Sequence, residues 1–449
     1  MSTGGDKLSP VHFDRHTPDY IDHFTEITHE LHAKCPIAWS ETYGGHWVAS
    51  GYKEVFEIAR NATLLSNDHD IKGERKGYQG ITIPGRPEAQ TRGGFLEMDP
   101  PEQRDYRRAL DPYLSPAAVA RWKPMVEDLT RACLDEKIES GRIDFVDDLA
   151  NIVPAVLTLA LMGLPLVDWV VYCEPAHAGV YTPPDSPDLP RVVEASIAMI
   201  TRLAESIVEV RSNPRPGMVN ALIEASICGQ PPTDDDIRDT LSLLIGGGFD
   251  TTTALTAHSL EWLSQNPGER ERLRADLPGL LDSATEEFLR FYTPAPGDGR
   301  TVTRDYELSG RRLEEDDRLY ISWAMANRDP EVFPDPDTIK IDRKHNRHTS
   351  FGLGLHRCIG SNVARNSFKS MLTAVLERIP DYHCIPEGAV HYDTVGVING
   401  MKHLPATFTP GSRQGAGLDE TIAHWQEVID REGLAAPVIR SSQAEGATA

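Results

Sequence analysis

The sequence predicts a mainly helical protein with a smaller β region. Three observations carry this reading. From Glu102 to about Leu281 apolar residues recur mostly at helical spacing. Within that stretch one run, from Thr233 to Asn266, keeps the spacing for over 30 residues, or roughly 50 Å of helix at 1.5 Å per residue. Strand-like pieces and turns are concentrated in residues 1–66 and 300–336.

The elements follow in order. Residues 1–66 carry short apolar stretches, among them His46-Trp47-Val48-Ala49 before Gly51, and predict a small sheet with flanking helices. Residues 67–97, rich in Gly, Arg and Lys, read as a long loop, and loops of that length are usually functional. Ile152–Val171 is the most apolar segment, but Pro154, Gly163, Pro165 and Asp168 interrupt it, so it reads as a buried helix ending in a turn. Prolines between Tyr181 and Pro190 predict a rigid loop between two helices. Thr233 is an expected N-cap, with Asp234, Asp235 and Asp236 in the favourable first turn. A last long helix is predicted from about Cys358 to Arg378, with Val363, Phe368, Met371, Leu372, Val375, Leu376 and Ile379 near a 3.6-residue period. The tail from Gly411 holds a short apolar stripe, Ile422, Trp425 and Ile429, and reads as docked on the body or partly disordered rather than as a partner-binding helix. The expected organisation is an N-terminal arm over 1–20, one domain over 21–410 and a C-terminal extension over 411–449.

Composition narrows the function. The 449 residues are 40% hydrophobic and 25% charged, ordinary for a globular protein. Against 45 Lys and Arg stand 68 Asp and Glu, a net charge of −23, which disfavours nucleic acid and anionic membranes as partners. Met1–Tyr20 has no apolar core and no run of 18 apolar residues occurs, so a cytoplasmic protein without a membrane anchor is expected. The six cysteines, at 35, 133, 173, 228, 358 and 384, form no CxxC pair and suggest neither a disulfide framework nor a zinc finger.

One of those cysteines stands apart. Cys358 lies in Phe351-Gly352-Leu353-Gly354-Leu355-His356-Arg357-Cys358-Ile359-Gly360, framed by glycines and followed at once by a helical pattern. Glycines admit close backbone approach, and a helix N-terminus favours a thiolate. That suits a sulfur held under a metal cofactor, against the plainer reading of a buried cysteine in a turn. Gly246-Gly247-Gly248 interrupts the long central run and sacrifices roughly 3 kcal/mol of helix propensity. Asp250, Thr251, Thr252 and Thr253 follow, all able to compete for backbone hydrogen bonds. An acid beside an alcohol is apt for proton delivery. Glu287 and Arg290 sit three apart, as an ion pair on one helix face requires.

Taken together, these motifs resemble the cytochromes P450, over roughly residues 20–410. The cysteine run matches the haem-loop pattern FxxGx(H/R)xCxG at Phe351, Gly354, His356, Cys358 and Gly360. Gly247-Gly248-Phe249-Asp250-Thr251 matches the oxygen-activating signature (A/G)Gx(D/E)T, and Glu287 with Arg290 matches ExxR. The segments around Asp298–Leu308 and His348–Phe351 look most like the bacterial camphor-hydroxylase branch. The resemblance implies a triangular helical prism with a long central helix and a buried haem b. It implies Cys358 as axial ligand of the iron, Asp250 and Thr251 as the proton-delivery pair, and Gly247 and Gly248 beside the haem in the groove that admits O2. Glu287 and Arg290 become a structural lock, with Arg343 as third member. Phe351 and Gly352 line the haem loop. Asp99-Pro100-Pro101-Glu102-Gln103 through Arg107 resembles the helix start DPPEHxxxR, so Arg107, Arg300 and His356 are implied propionate partners. Gln103 stands where histidine is usual; it can donate a hydrogen bond but carries no charge. Phe95, Leu244, Gly247, Phe249, Thr251, Pro296, Val397 and Ile398 are implied pocket residues.

The function so implied is a monooxygenase that inserts one atom of O2 into a C–H bond of a small hydrophobic substrate, terpenoid-like by preference, with a steroid, fatty acid or aromatic as alternatives. A peroxide-driven peroxygenase and a non-catalytic haem sensor are the competing classes; the acid–alcohol pair at Asp250 and Thr251 speaks against both. No fused reductase is expected, and electrons from NAD(P)H are expected to arrive through a flavoprotein reductase and a ferredoxin. Arg347, Arg357, Arg365, Arg104 and Arg108 are the expected docking cations, and the protein is expected to be a monomer.

Overall fold

The computed structural model describes residues 10–71, 74–75, 77–86, 91–183 and 185–438. They fall into two compact units. One takes its described residues from segments 1–100, 257–358 and 390–402, the other from 101–256, 359–389 and 403–449.

The first unit is built on a five-stranded sheet in the order Ile37–Ser40, His46–Ala49, Arg318–Ser322, Gly297–Val302, Leu65–Ser66. Ile37–Ser40 and His46–Ala49 pair antiparallel, with Ile37 opposite Ala49. His46–Ala49 runs parallel to Arg318–Ser322. Successive strand residues point to opposite faces, and both faces here are apolar. Trp47, Ala49, Leu319 and Ile321 enter one core with Val55, Ile58 and Trp323. Val48 and Tyr320 enter another with Phe13 and Tyr20. That double burial explains the unbroken apolar stretch at 46–49. It also ties down the N-terminal segment, whose Val11 N–H donates to the Trp39 carbonyl at 2.8 Å. Residues 1–9 lie outside the described residues, as do 72–73, 76 and 87–90 of the predicted 67–97 loop.

The second unit is helical, with one small sheet of Arg142–Asp144, Pro405–Thr407 and His383–Cys384. Helix Ile152–Met162 has every residue buried and ends at Gly163, in the left-handed region at φ 77°. A Cβ there would stand 2.4 Å from the Pro216 carbonyl oxygen, so only glycine fits. The proline-rich segment separates helices Trp169–Tyr181 and Leu189–Ser212, as predicted. Thr233 caps Asp234–Gly248 in a capping box, its hydroxyl accepting from the Asp236 N–H at 3.1 Å.

One expectation needs correction. The run from Thr233 to Asn266 is two helices, Asp234–Gly248 and Asp250–Gln265, broken at Phe249. The cause is local. Three glycines weaken the first helix, and hydroxyls then take up backbone carbonyls: Thr251 donates to Gly247 at 2.9 Å, and Thr253 donates to Ala150 at 2.7 Å and to Phe249 at 3.2 Å.

The C-terminal segment forms helix Leu418–Glu432, with Ile422, Val428 and Ile429 buried. Its anchor is the buried Asp135 carboxylate on helix Lys123–Ile138. Asp135 accepts from Arg131 at 2.9 Å, from Arg378 at 2.7 Å, and from the Gln414 and Gly415 N–H groups at 3.0 Å. Trp425 Nε1 donates to Asp128 at 3.0 Å. Ile422 also borders a surface groove of about 890 Å3, which leaves its surroundings room to relax. Ile422→Ala is therefore expected to cost about 2 kcal/mol, the low end for such truncations, read as a lowered urea midpoint at unchanged m-value.

Candidate active site

Cys358 sits at the end of a loop shaped by its own backbone. The Gly352 N–H donates to the Thr349 carbonyl and the Cys358 N–H to the Phe351 carbonyl, each at 2.7 Å. Gly352 and Gly354 both have positive φ, 64° and 69°. At Gly354 a Cβ would meet the Ala59 carbonyl oxygen at 2.2 Å, so glycine is obligatory there. The loop leaves Cys358 exposed and holds Phe351 and His356 half-buried. Helix Ser361–Arg378 begins three residues further on.

In the same unit, Arg300 on strand Gly297–Val302 is only 4% exposed. It donates to the adjacent Gly299 carbonyl at 2.6 Å, and among the described residues no carboxylate lies within 4 Å of it. Burial lowers its pKa, and the charges of Asp298 and Asp99 offset this in part. A buried guanidinium without a paired anion is costly and fits an incoming carboxylate. Its neighbour Arg318, pushed down to about 10 by burial and by Arg300, donates to the carbonyls of Gly77, Gly80 and Thr82 and so holds the 77–82 loop. The motifs did not point to Arg318. Asp298 accepts from Trp323 Nε1 at 2.9 Å.

The lock is assembled around Glu287. Its carboxylate is fully buried and accepts five hydrogen bonds: from Arg290 Nε and Nη2, Arg343 Nε and the Lys340 N–H at 2.8 Å, and from Asn346 Nδ2 at 3.0 Å. Arg290 spends its other N–H groups on the carbonyls of Asn327, Pro336 and Thr338. Sequence pattern alone missed Asn346 and the Lys340 N–H. Burial by itself would raise the Glu287 pKa, but hydrogen bonds and charge from Arg290, with Arg343 and Lys340, hold it below the usual range.

In the other unit lie Gln103, Arg107, Gly247, Gly248, Asp250 and Thr251. Gln103 is fully buried and shares a face of helix Glu102–Leu114 with Arg107, whose Nη2 is 3.7 Å from Asp111. The glycines divide by role. A Cβ on Gly248 would meet Thr158 Oγ1 at 2.9 Å, whereas one on Gly246 or Gly247 would meet nothing within 4 Å. Gly248 thus serves helix packing, and Gly246 and Gly247 face open space. Asp250 is 1% exposed, and its Oδ1 stands 2.6 Å from Nδ1 of the buried His177. Nothing in the spacing marks His177, which lies 73 residues away. Of the predicted pocket residues, Phe95, Phe249, Pro296 and Ile398 are buried, Leu244 is half-buried and Val397 is 60% exposed.

Each unit by itself carries features that fit a haem. In the first an exposed cysteine ends a glycine-shaped loop and a buried arginine awaits an anion; in the second, Gly247 faces open space. No helix among the described residues is long and apolar enough to cross a membrane.

Comparison with known proteins agrees. The family model "Cytochrome P450" matches residues 185–380. Linalool 8-monooxygenase of Pseudomonas putida is 27% identical over 401 residues, covering 86% of this chain and 96% of that protein. Steroid C26-monooxygenase of Mycolicibacterium smegmatis is 28% identical over 422 residues, covering 88% and 93%. Among solved structures, a mutant of P450 EryK in complex with erythromycin B matches with a TM-score of 0.76 at 25% identity, over 89% of this chain and all of that one. A Mycobacterium marinum cytochrome P450 in complex with pseudoionone matches with a TM-score of 0.81 at 22% identity, over 89% of this chain and 99% of that one, a likeness of fold. With these matches beside the cysteine loop and the Glu287 lock, the chain belongs to the cytochrome P450 family of monooxygenases.

Proposed function

We propose that the chain hydroxylates a compact hydrophobic molecule of terpenoid type, with haem b held by Cys358. The family uses haem b and electrons from NAD(P)H relayed by partner proteins. When bound, haem supplies the oxygen activation and the oxidising power for C–H attack. The Cys358 loop carries the reading: its glycines and the Phe351 carbonyl leave one sulfur exposed at a fixed place. Arg300 and Arg107 would supply positive charge to the haem propionates, with His356 and the uncharged Gln103 as further partners, and Phe351 and Gly352 would shape the loop that presents Cys358. Asp250 shuttles protons by way of His177, and Thr251 holds the receiving position with its hydroxyl on the Gly247 carbonyl.

The substrate side is apolar. Phe95, Leu244, Phe249, Pro296, Val397 and Ile398 offer aromatic and aliphatic surface with no charge. Relatives named for linalool, a steroid and a methyl-branched lipid share that hydrophobic character. A spectral screen for low- to high-spin conversion tests the preference: a linear or cyclic terpenoid shifts the spin state at lower concentration than a fatty acid or small aromatic. The opposite order overturns it.

Asp250→Asn is expected to lower turnover about 100-fold, the low end for loss of general acid–base assistance, with an enlarged solvent isotope effect. Turnover and isotope effect both unchanged would remove Asp250 from proton delivery. The electron donor is a ferredoxin. Arg357, exposed beside Cys358, belongs to its docking site, and Arg357→Glu slows electron transfer most at low ionic strength. Equal rates in the wild type and the variant at low salt count against that site.

A further inference from the structure

The first unit holds a second group of ligand-bearing side chains that the motifs did not single out. His258 and Glu261 lie three apart on helix Asp250–Gln265 and so share a face. Strand Val390–His391 brings His391 to them. One ligand atom from each residue lies within 4.8 Å of the others. His391 Nε2 and Glu261 Oε1 are already 3.1 Å apart, close to the roughly 3.4 Å edge of a tetrahedron with 2.0–2.1 Å bonds.

The surroundings are those of an ordered site. The His258 ring stacks on Tyr292, with centroids 4.8 Å apart and planes 10° from parallel. Its Nε2 lies 3.2 Å from the Asn399 carbonyl, the kind of backbone acceptor that orients a ligating imidazole. Asn399 is fixed in turn: its N–H donates to the Pro294 carbonyl and its side-chain amide to Tyr292, both at 2.8 Å. His258 is 5% exposed, whereas the side chains of Glu261 and His391 are 18% and 48% exposed. The group is anchored on one side and open to solvent on the other. The comparable cluster Asp144, Asp147 and His403 is less suited, because Asp144 is already engaged in accepting from the N–H groups of Val146 and Leu404.

We propose that His258, Glu261 and His391 form a zinc-class metal site, with water as fourth ligand, that clamps the 390–402 segment to helix Asp250–Gln265. Two imidazoles and one carboxylate suit borderline metals such as Zn2+; Mg2+ and Ca2+ prefer oxygen ligands alone. The clamp has a consequence for specificity, since 390–402 carries Val397 and Ile398. Metal occupancy sets how freely that stretch moves, whatever substrate the protein takes.

The test uses untagged holoprotein cleared of loose metal with a chelator and then dialysed against Zn2+ alone. The wild type is expected to retain one Zn2+ per chain in addition to haem iron. His391→Ala and Glu261→Gln are expected to weaken retention by more than the roughly 10–100-fold typical of losing a supporting residue. Neither replacement disturbs a fully buried side chain, so both variants are expected to keep the wild-type melting temperature in the absence of metal. Zn2+ is also expected to slow amide exchange in 390–402 of the wild type and of neither variant. No retained Zn2+, equal retention by all three proteins, or equal exchange with and without Zn2+ overturns the proposal.

Discussion

Cys358→Ser is expected to abolish monooxygenase turnover and the red-shifted Soret band that reduced, thiolate-ligated haem shows with CO, while leaving the fold intact. The expectation separates geometry from chemistry. The Cys358 N–H still donates to the Phe351 carbonyl, and Gly352 and Gly354 still set the loop, so nothing in the backbone has to move. What disappears is the anionic sulfur. A serine hydroxyl stays protonated where a thiol ionises and cannot push electron density onto iron in the same way. The Ser variant is therefore expected to unfold at nearly the wild-type temperature once both are compared free of haem. A Ser variant that keeps the thiolate-type band would transfer the axial role to another residue.

Glu287→Ala is expected to be the most destabilising single substitution among the motif residues, at about 3–5 kcal/mol, the range for removing one partner of a buried ion pair. The cost arises because Arg290 is fully buried and would keep its charge with no carboxylate beside it. Glu287→Gln retains the shape and loses less. The pH dependence has a definite sign. Glu287 is held below the usual range by Arg290, Arg343 and Lys340 in spite of its burial. Its stabilising contribution is complete above the ordinary glutamate value of about 4.3 and is lost as pH falls through the lowered folded value. Urea midpoints of the wild type therefore fall on acidification below about pH 4 more steeply than those of Glu287→Gln. Parallel curves would show that Glu287 carries no linked proton.

Local signals in the sequence proved legible. Thr233 with Asp236, Gly163 at a helix end, and the stripe Ile422, Trp425, Ile429 each lie within a few residues of the structure they specify. Glu287 and Arg290 could be paired because helical geometry fixes what lies three residues away. Arg343 came from family resemblance, since no local periodicity reaches it. The break at Phe249 was marked by the three glycines and the hydroxyls after them, but apolar periodicity continues through it, and one of the bonds that favour it, Thr253 to Ala150, spans 103 residues, where no local pattern reaches. His177 opposite Asp250 and His391 opposite Glu261 escaped for the same reason. They meet through tertiary packing, which leaves no spacing in the chain.

The Asp135 anchor has a consequence in time. Its backbone donor Gln414 lies 279 residues further along the chain. At the ~5–20 residues per second of synthesis, helix Lys123–Ile138 emerges roughly 15–60 s before that donor exists. Throughout that interval the nascent chain carries an acidic group built for burial and an apolar surface made to receive Ile422 and Ile429. The tail thus closes a gap left open during translation, and chains that stop short of it present that gap to chaperones and to one another.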